Sequence, residues 1–305
     1  RLGGSEQQVQ SEYDTVWQNI GDRQIAQLID LPLLTDKSIK AAIDILQSLY
    51  VGVMAIDHNL FLFTCCRMVN LSIRYGNCEV AVIAYAQFGS ILPRLFNRFS
   101  EAEQFGELAK ALSQKYGFST NKAKLHFLIS IIEFWNGHIK NTIDSLYPAI
   151  ETASKTGDWM YSCFCCGHLW INSLVAGQSL FELSQLGNAL RKTLFGTSSQ
   201  IFGQVLGLLN HSLAKLSTTV AESLPLTVSD DDAIEKTILQ SPATINSLYY
   251  VFALATQVIL GNHKEAIIAG DNAKQVLWSQ YTFAAEPDYR LYYPLAPARD
   301  YTLVP

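Results

Sequence analysis

Glu101-Ala-Glu-Gln-Phe-Gly-Glu-Leu-Ala-Lys-Ala-Leu-Ser-Gln-Lys-Tyr116 decides the fold class. Phe105, Leu108, Ala109, Leu112 and Tyr116 recur at three- and four-residue steps, the period of one face of an α-helix. Ser100 precedes the stretch as the expected N-cap, and Glu101 and Glu103 occupy the first turn, where the helix dipole favours negative charge. Gly117 follows at the position where helices turn left-handed. Working outward, Ile39, Ile43, Leu46 and Tyr50 form a similar stripe behind an Asp36 cap. Leu60–Tyr75 is apolar on most sides, the pattern of a helix between two others, and Gly76 closes it. Period-2 alternation is nearly absent. The chain is expected to be all-α.

The spacing of turns organises these helices. Short polar turns near Asn97, Gly137 and Gly177 each lie 40 residues after the last. A further step reaches Ser217, where a helix starting near Ser199 runs out, and a similar turn returns at Gly261-Asn262-His263. A helix, a turn and a second helix in about 40 residues is the unit of a helical-repeat array. The spacing predicts a right-handed α-solenoid of degenerate tetratricopeptide-like hairpins, since the strict 34-residue pattern is not kept. On this reading residues 1–35 are a lead-in with a first helix and 36–281 are the array. An irregular insertion falls near 217–241 around Leu224-Pro225 and Asp230-Asp231-Asp232. Residues 282–305 are a truncated last helix, stopped by Pro294 and Pro297, and a tail.

Composition narrows the function classes. Charged residues make up 16% of the 305 and hydrophobic ones 49%, against about 25% charge in ordinary domains. Some surface is therefore expected to be covered by a neighbour. The first residues, Arg1-Leu2-Gly3-Gly4, lack an initiator Met, which suits a processed chain or a piece of a longer one. Net charge is −5, and Lys and Arg are scattered singly, so no nucleic-acid footprint is expected. Val80–Phe96 is broken by Gln87, Pro93 and Arg94, and Leu248–Leu260 is too short for a membrane span of about 20 residues. The adjacent Cys65 and Cys66, the separate Cys78, and the cluster Cys163, Cys165 and Cys166 do not resemble a disulfide framework. Reduced, buried thiols in a cytoplasmic protein are expected.

Catalytic signatures are missing. No phosphate-loop, dinucleotide, His-Glu-x-x-His, Gly-x-Ser-x-Gly or kinase motif occurs, so no catalytic or cofactor-binding residue is assigned. Cys163, Cys165, Cys166 and His168 carry good zinc-ligand chemistry. On one helix, however, Cys163 with Cys166 and Cys165 with His168 face nearly opposite sides, and no metal site is expected. His126 and His168 read as core histidines, His138 and His263 as turn residues, and Asp230–Asp232 as a solvated helix start. Trp135, Trp159, Trp170, Tyr249, Tyr250 and Trp278 read as core filling, with a ligand groove on a concave face as the sharper alternative.

Several stretches resemble the helical region of very large signalling proteins. These combine a serine/threonine kinase-like domain, an AAA-type ATPase, a tetratricopeptide-like array, a GAF sensor and a histidine kinase. The resemblance rests on Leu28-Ile29-Asp30-Leu31-Pro32-Leu33 followed by Thr35-Asp36, and on Cys66-Arg67-Met68-Val69-Asn70-Leu71-Ser72 leading into Tyr75-Gly76-Asn77. It continues through Ala84-Tyr85, Phe105-Gly106-Glu107-Leu108-Ala109 and Leu277-Trp278-Ser279 to Asp288–Tyr293. It spans residues 12–296, departing at Tyr292-Tyr293-Pro294, where the family's helices continue. It implies a non-catalytic scaffold or coupling segment between an ATPase and sensor and histidine-kinase domains of the same polypeptide. ATP would serve those other domains alone. The alternative is a free-standing adaptor that takes a peptide, a protein or a small ligand in its groove. An all-helical enzyme is a third reading, and it lacks paired titratable residues at helical spacing.

Overall fold

A computed structural model describes residues 5–194, 200–217, 241–279 and 285–297. Among these residues the secondary structure is helical apart from one isolated parallel bridge, Leu33 to Asn77. The interior of the expected 217–241 insertion, with Asp230–Asp232, and the end of the tail lie outside the described residues. The chain divides into two compact units, 1–161 and 162–305. That boundary falls inside a helix, where no turn marks it in the sequence.

In the first unit the helices are α1 (Glu6–Ile20), a 3-10 segment (Ile25–Asp30), α2 (Lys37–Ile56), α3 (His58–Tyr75), α4 (Glu79–Phe96), α5 (Phe99–Tyr116), α6 (Lys122–Asn136) and α7 (Ile139–Thr156). Their ends follow from local chemistry. Ser5 and Gln8 form a reciprocal capping box on α1, Asp36 accepts from the Ser38 and Ile39 amides, and Asp57 accepts from the Leu60 amide. Gly117 takes the expected left-handed conformation.

The start of α5 differs from expectation. Ser100 lies inside the helix and accepts from the Gln104 side chain at 3.2 Å, so it is not the cap. Arg98 occupies that position. Its guanidinium sits 4.1 Å from the Trp17 ring and 3.0 Å from Glu101, and its carbonyl accepts from the Ala102 amide. The helix thus starts two residues earlier than the serine signals, with Arg98 stacked on Trp17 at its cap.

Packing follows the chain. α1 and α2 lie on α3, α3 on α4, and α4 on α5; α4 also meets α6, the first helix of the following hairpin, and α6 meets α7. Gly89 permits the close approach of α4 to its neighbours, since a Cβ there would come 2.9 Å from Ile132 and 3.1 Å from the Ala102 carbonyl. The lead-in belongs to this core. Tyr13 stacks on Phe96 at 3.9 Å, and Trp17 meets both Phe88 and Phe105.

The second unit contains most of α8 (Trp159–Val175), then α9 (Leu180–Leu194), α10 (Gln200–Leu216), α11 (Ala243–Leu260), α12 (His263–Val276), a 3-10 turn (Leu277–Ser279) and α13 (Ala285–Tyr292). α10 packs on α9 and α11, and α11 packs on α12 and α13. Trp170 is 1% exposed, donates from Nε1 to the Leu183 carbonyl and meets Phe252 edge-on at 5.6 Å. α11 runs five residues further toward the N-terminus than its apolar stretch suggests. It is long and apolar enough to cross a membrane by length and composition, the one such helix among the described residues. Val251 and Leu254 on it are buried against the α12–α13 side.

Candidate functional site

The stretches Leu28–Leu33, Cys66–Asn77 and Ala84-Tyr85 meet in the first unit. Asn77, fully buried between α3 and α4, donates from Nδ2 to the Leu28 carbonyl at 2.8 Å, and its Oδ1 accepts from the Tyr85 hydroxyl at 3.2 Å. Its backbone amide donates to the Pro32 carbonyl, and its own carbonyl accepts from the Leu34 amide, both at 2.8 Å. The side chain and the backbone of one residue therefore tie the lead-in to the start of α4. Gly76 beside it has φ +115°, and a Cβ there would fall 2.3 Å from the Pro32 carbonyl oxygen. Only glycine fits that crossing.

Asn70 performs a parallel task on α3. It donates to the Glu12 backbone and carboxylate and accepts from Asn19, while Arg67 reaches Glu12 at 3.1 Å. Lys115, at the end of α5, donates to the Ile29 carbonyl at 3.1 Å. The motif residues thus build a clasp joining α1, the 3-10 segment, α3, α4 and α5. Their contacts are architectural, and none presents a nucleophile to solvent.

A second cluster surrounds Lys124 on α6. This lysine is 3% exposed, with its ammonium 4.8 Å from the Tyr50 ring of α2 and 5.7 Å from the Tyr161 ring. Burial dominates its acidity and pushes the pKa down to about 7, against weaker upward pulls from Cys65 and Asp158. Tyr50 packs on Phe61 and Tyr161 on Phe127, so aromatic rings close the site. A neutral amine is a nucleophile in principle. This one is walled off by rings, and its measurable consequence is for stability. The sequence did carry a signal: Lys124 lies four and seven residues before Leu128 and Ile131, on the buried stripe of α6.

Between α5, α6 and the start of α7 lies a cleft of about 180 Å³ lined by Glu103, Glu107, Lys110, Glu133, Asn136 and Asn141. Its charges are partly met internally. Lys110 lies 3.0 Å from Glu107 and 3.6 Å from Glu133, and Ser145 donates to Glu133 at 2.7 Å.

In the second unit Cys163, Cys165, Cys166 and His168 are all buried. Burial raises the Cys166 thiol to about 12 and lowers His168 to about 3. Among the described residues no three His, Cys, Asp or Glu side chains are grouped to hold a metal ion. His126, expected in the core, is exposed on α6, although Ile129 and Ser130 one turn further on are buried. His138 caps α7, accepting from the Lys140 amide at 3.2 Å. His263 opens α12, and its Nδ1 donates to the Ala296 carbonyl at 2.9 Å, tying the tail back. Trp159 and Trp278 are each 39% exposed, so not every large aromatic fills the core.

No family model, curated protein or solved structure matches this chain. Function therefore rests on the residues themselves: an architectural clasp, a caged lysine, and a small charged cleft.

Proposed function

We propose that this chain is a non-catalytic coupling segment of a large signal-transduction kinase, connecting an ATPase region to sensor and histidine-kinase domains. The observation that carries the reading is the succession of hairpins in the first unit, where α4 meets both its own partner α5 and the next hairpin's α6. Repeated in this way, hairpins become a solenoid that transmits small rotations between whatever flanks it. The clasp adds to the case, because the stretches resembling such proteins are the ones that lock the lead-in onto the array.

The adaptor reading has one observation of its own, the α5–α6–α7 cleft, whose three carboxylates suit a basic peptide side chain. The mass of the native polypeptide separates the two. A product far larger than 33.9 kDa that carries this sequence supports coupling, whereas a native product of that mass overturns it in favour of the adaptor. Robust ATP hydrolysis or phosphotransfer by the isolated chain would refute both.

A further inference from the structure

We propose that the cavity between α8, α10, α11 and α13 binds the ammonium end of a short alkylamine, with Asp288 as its counter-ion. The cavity has a volume of about 40 Å³ and lies wholly within the second unit. Its walls are apolar, formed by Trp170 of α8, Leu209 of α10, and Val251, Phe252 and Ala255 of α11. Asp288 on α13 is the one charged residue in the lining. Among the described residues its carboxylate makes no hydrogen bond or ion pair. Arg290, the next cation along α13, is committed to Glu286 at 2.6 Å. Asp288 is half-buried, and burial alone pushes its carboxyl pKa up, with no neighbouring charge to hold it down. An anion set in an apolar wall without a partner is costly, and a cation from outside removes that cost.

The walls say which cation. A divalent metal ion needs several oxygen ligands, and here one carboxylate stands among hydrocarbon and aromatic rings. No group of metal-ligating side chains occurs among the described residues. Aliphatic walls suit methylene groups instead, and the aromatic rings of Trp170 and Phe252 add attraction for an ammonium. Size limits the ligand further. One water needs about 10–15 Å³ of such space, so the cavity is filled by about four non-hydrogen atoms. Propylammonium has that size, with its nitrogen at Asp288 and its three carbons against Leu209 and Val251. An alcohol of the same length fills the walls equally well but leaves the carboxylate unpaired. None of this rests on the coupling reading.

Titration of the full chain with propylammonium chloride, followed by heteronuclear NMR, tests the site. The Trp170 indole N–H, which donates to the Leu183 carbonyl, is the local probe. Its resonance should shift saturably, with sodium chloride at equal ionic strength producing no such shift. Binding of 1-propanol should be weaker by about tenfold or more, the worth of a charge-assisted hydrogen bond. Asp288→Asn should abolish that preference for amine over alcohol. Ala255→Leu, which fills the cavity and leaves the carboxylate in place, should abolish binding of both. A lysine side chain ends in the same group, so Nα-acetyl-lysine amide is titrated alongside. Tighter binding of the lysine derivative assigns the site to a protein's lysine and weaker binding to a free amine; both support the site. No saturable shift at Trp170, equal affinity for amine and alcohol, or a preference that survives Asp288→Asn overturns the proposal.

Discussion

Replacing Lys124 with Met tests the physical account of the caged lysine most directly. The wild-type ammonium must leave water to occupy its site, and its pKa falls from the usual 10.5 to about 7. A shift of that size corresponds to about 5 kcal/mol at 1.36 kcal/mol per unit, the amount by which the fold disfavours the charged form. The pH window follows from the sign. Below pH 7 the lysine is charged in both folded and unfolded chains, and the penalty is complete. Between about 7 and 10.5 the unfolded chain holds a proton the folded chain lacks, so wild-type stability rises with pH toward a slope of about 1.4 kcal/mol per pH unit. Above 10.5 both forms are neutral and the penalty is gone. Met retains the aliphatic stem and a polarisable end against Tyr50 and Tyr161, so it should remove the penalty without opening a cavity. The lost cation–π attraction offsets about 1–2 kcal/mol of the gain. Urea denaturation of wild type and Lys124→Met from pH 6 to 10 should show the variant more stable by about 3–4 kcal/mol at pH 6, with the difference shrinking steadily toward pH 10. Because other titrating groups are common to both chains, they cancel in the comparison. A variant less stable than wild type at pH 6, or a difference independent of pH, would refute the reasoning.

Other outcomes follow from the same geometry. Asn77→Ala leaves the Leu28 carbonyl and the Tyr85 hydroxyl buried without their partner, and should cost about 3 kcal/mol in chemical denaturation; a loss below 1 kcal/mol means the clasp is not tying the lead-in down. Gln87 is fully buried, and neither amide atom has a hydrogen-bond partner among the described residues. Gln87→Leu should therefore gain about 1–3 kcal/mol, whereas a lower midpoint would show that an internal water meets the amide. Burial raises the Cys66 and Cys166 thiols to about 12, and the thiolate is the reactive form. Ellman's reagent at pH 8 should label the native chain slowly and all six thiols quickly in denaturant; rapid native labelling contradicts the buried placement.

The sequence by itself determined the all-helical class and several of the helix ends. Spacing placed the stripe of α5 on Phe105, Leu108, Ala109 and Leu112, all buried, and located turns at Asn97, Gly137, Gly177 and Gly261, because these signals are local to a few residues. It also marked the motif residues, although not what they do. Asn77 becomes intelligible only when Leu28, nearly fifty residues earlier, is folded back onto it. The tertiary structure decided three further matters. It set the start of α5 through Arg98 over Trp17 rather than through Ser100. It turned His126 outward and Lys124 inward on one helix, although histidine is the less polar of the two. It left one face of α2 bare, a stripe that in sequence reads like any other core stripe. Each depends on which neighbour a helix face meets, and helical period fixes which residues share a face without fixing what that face will touch.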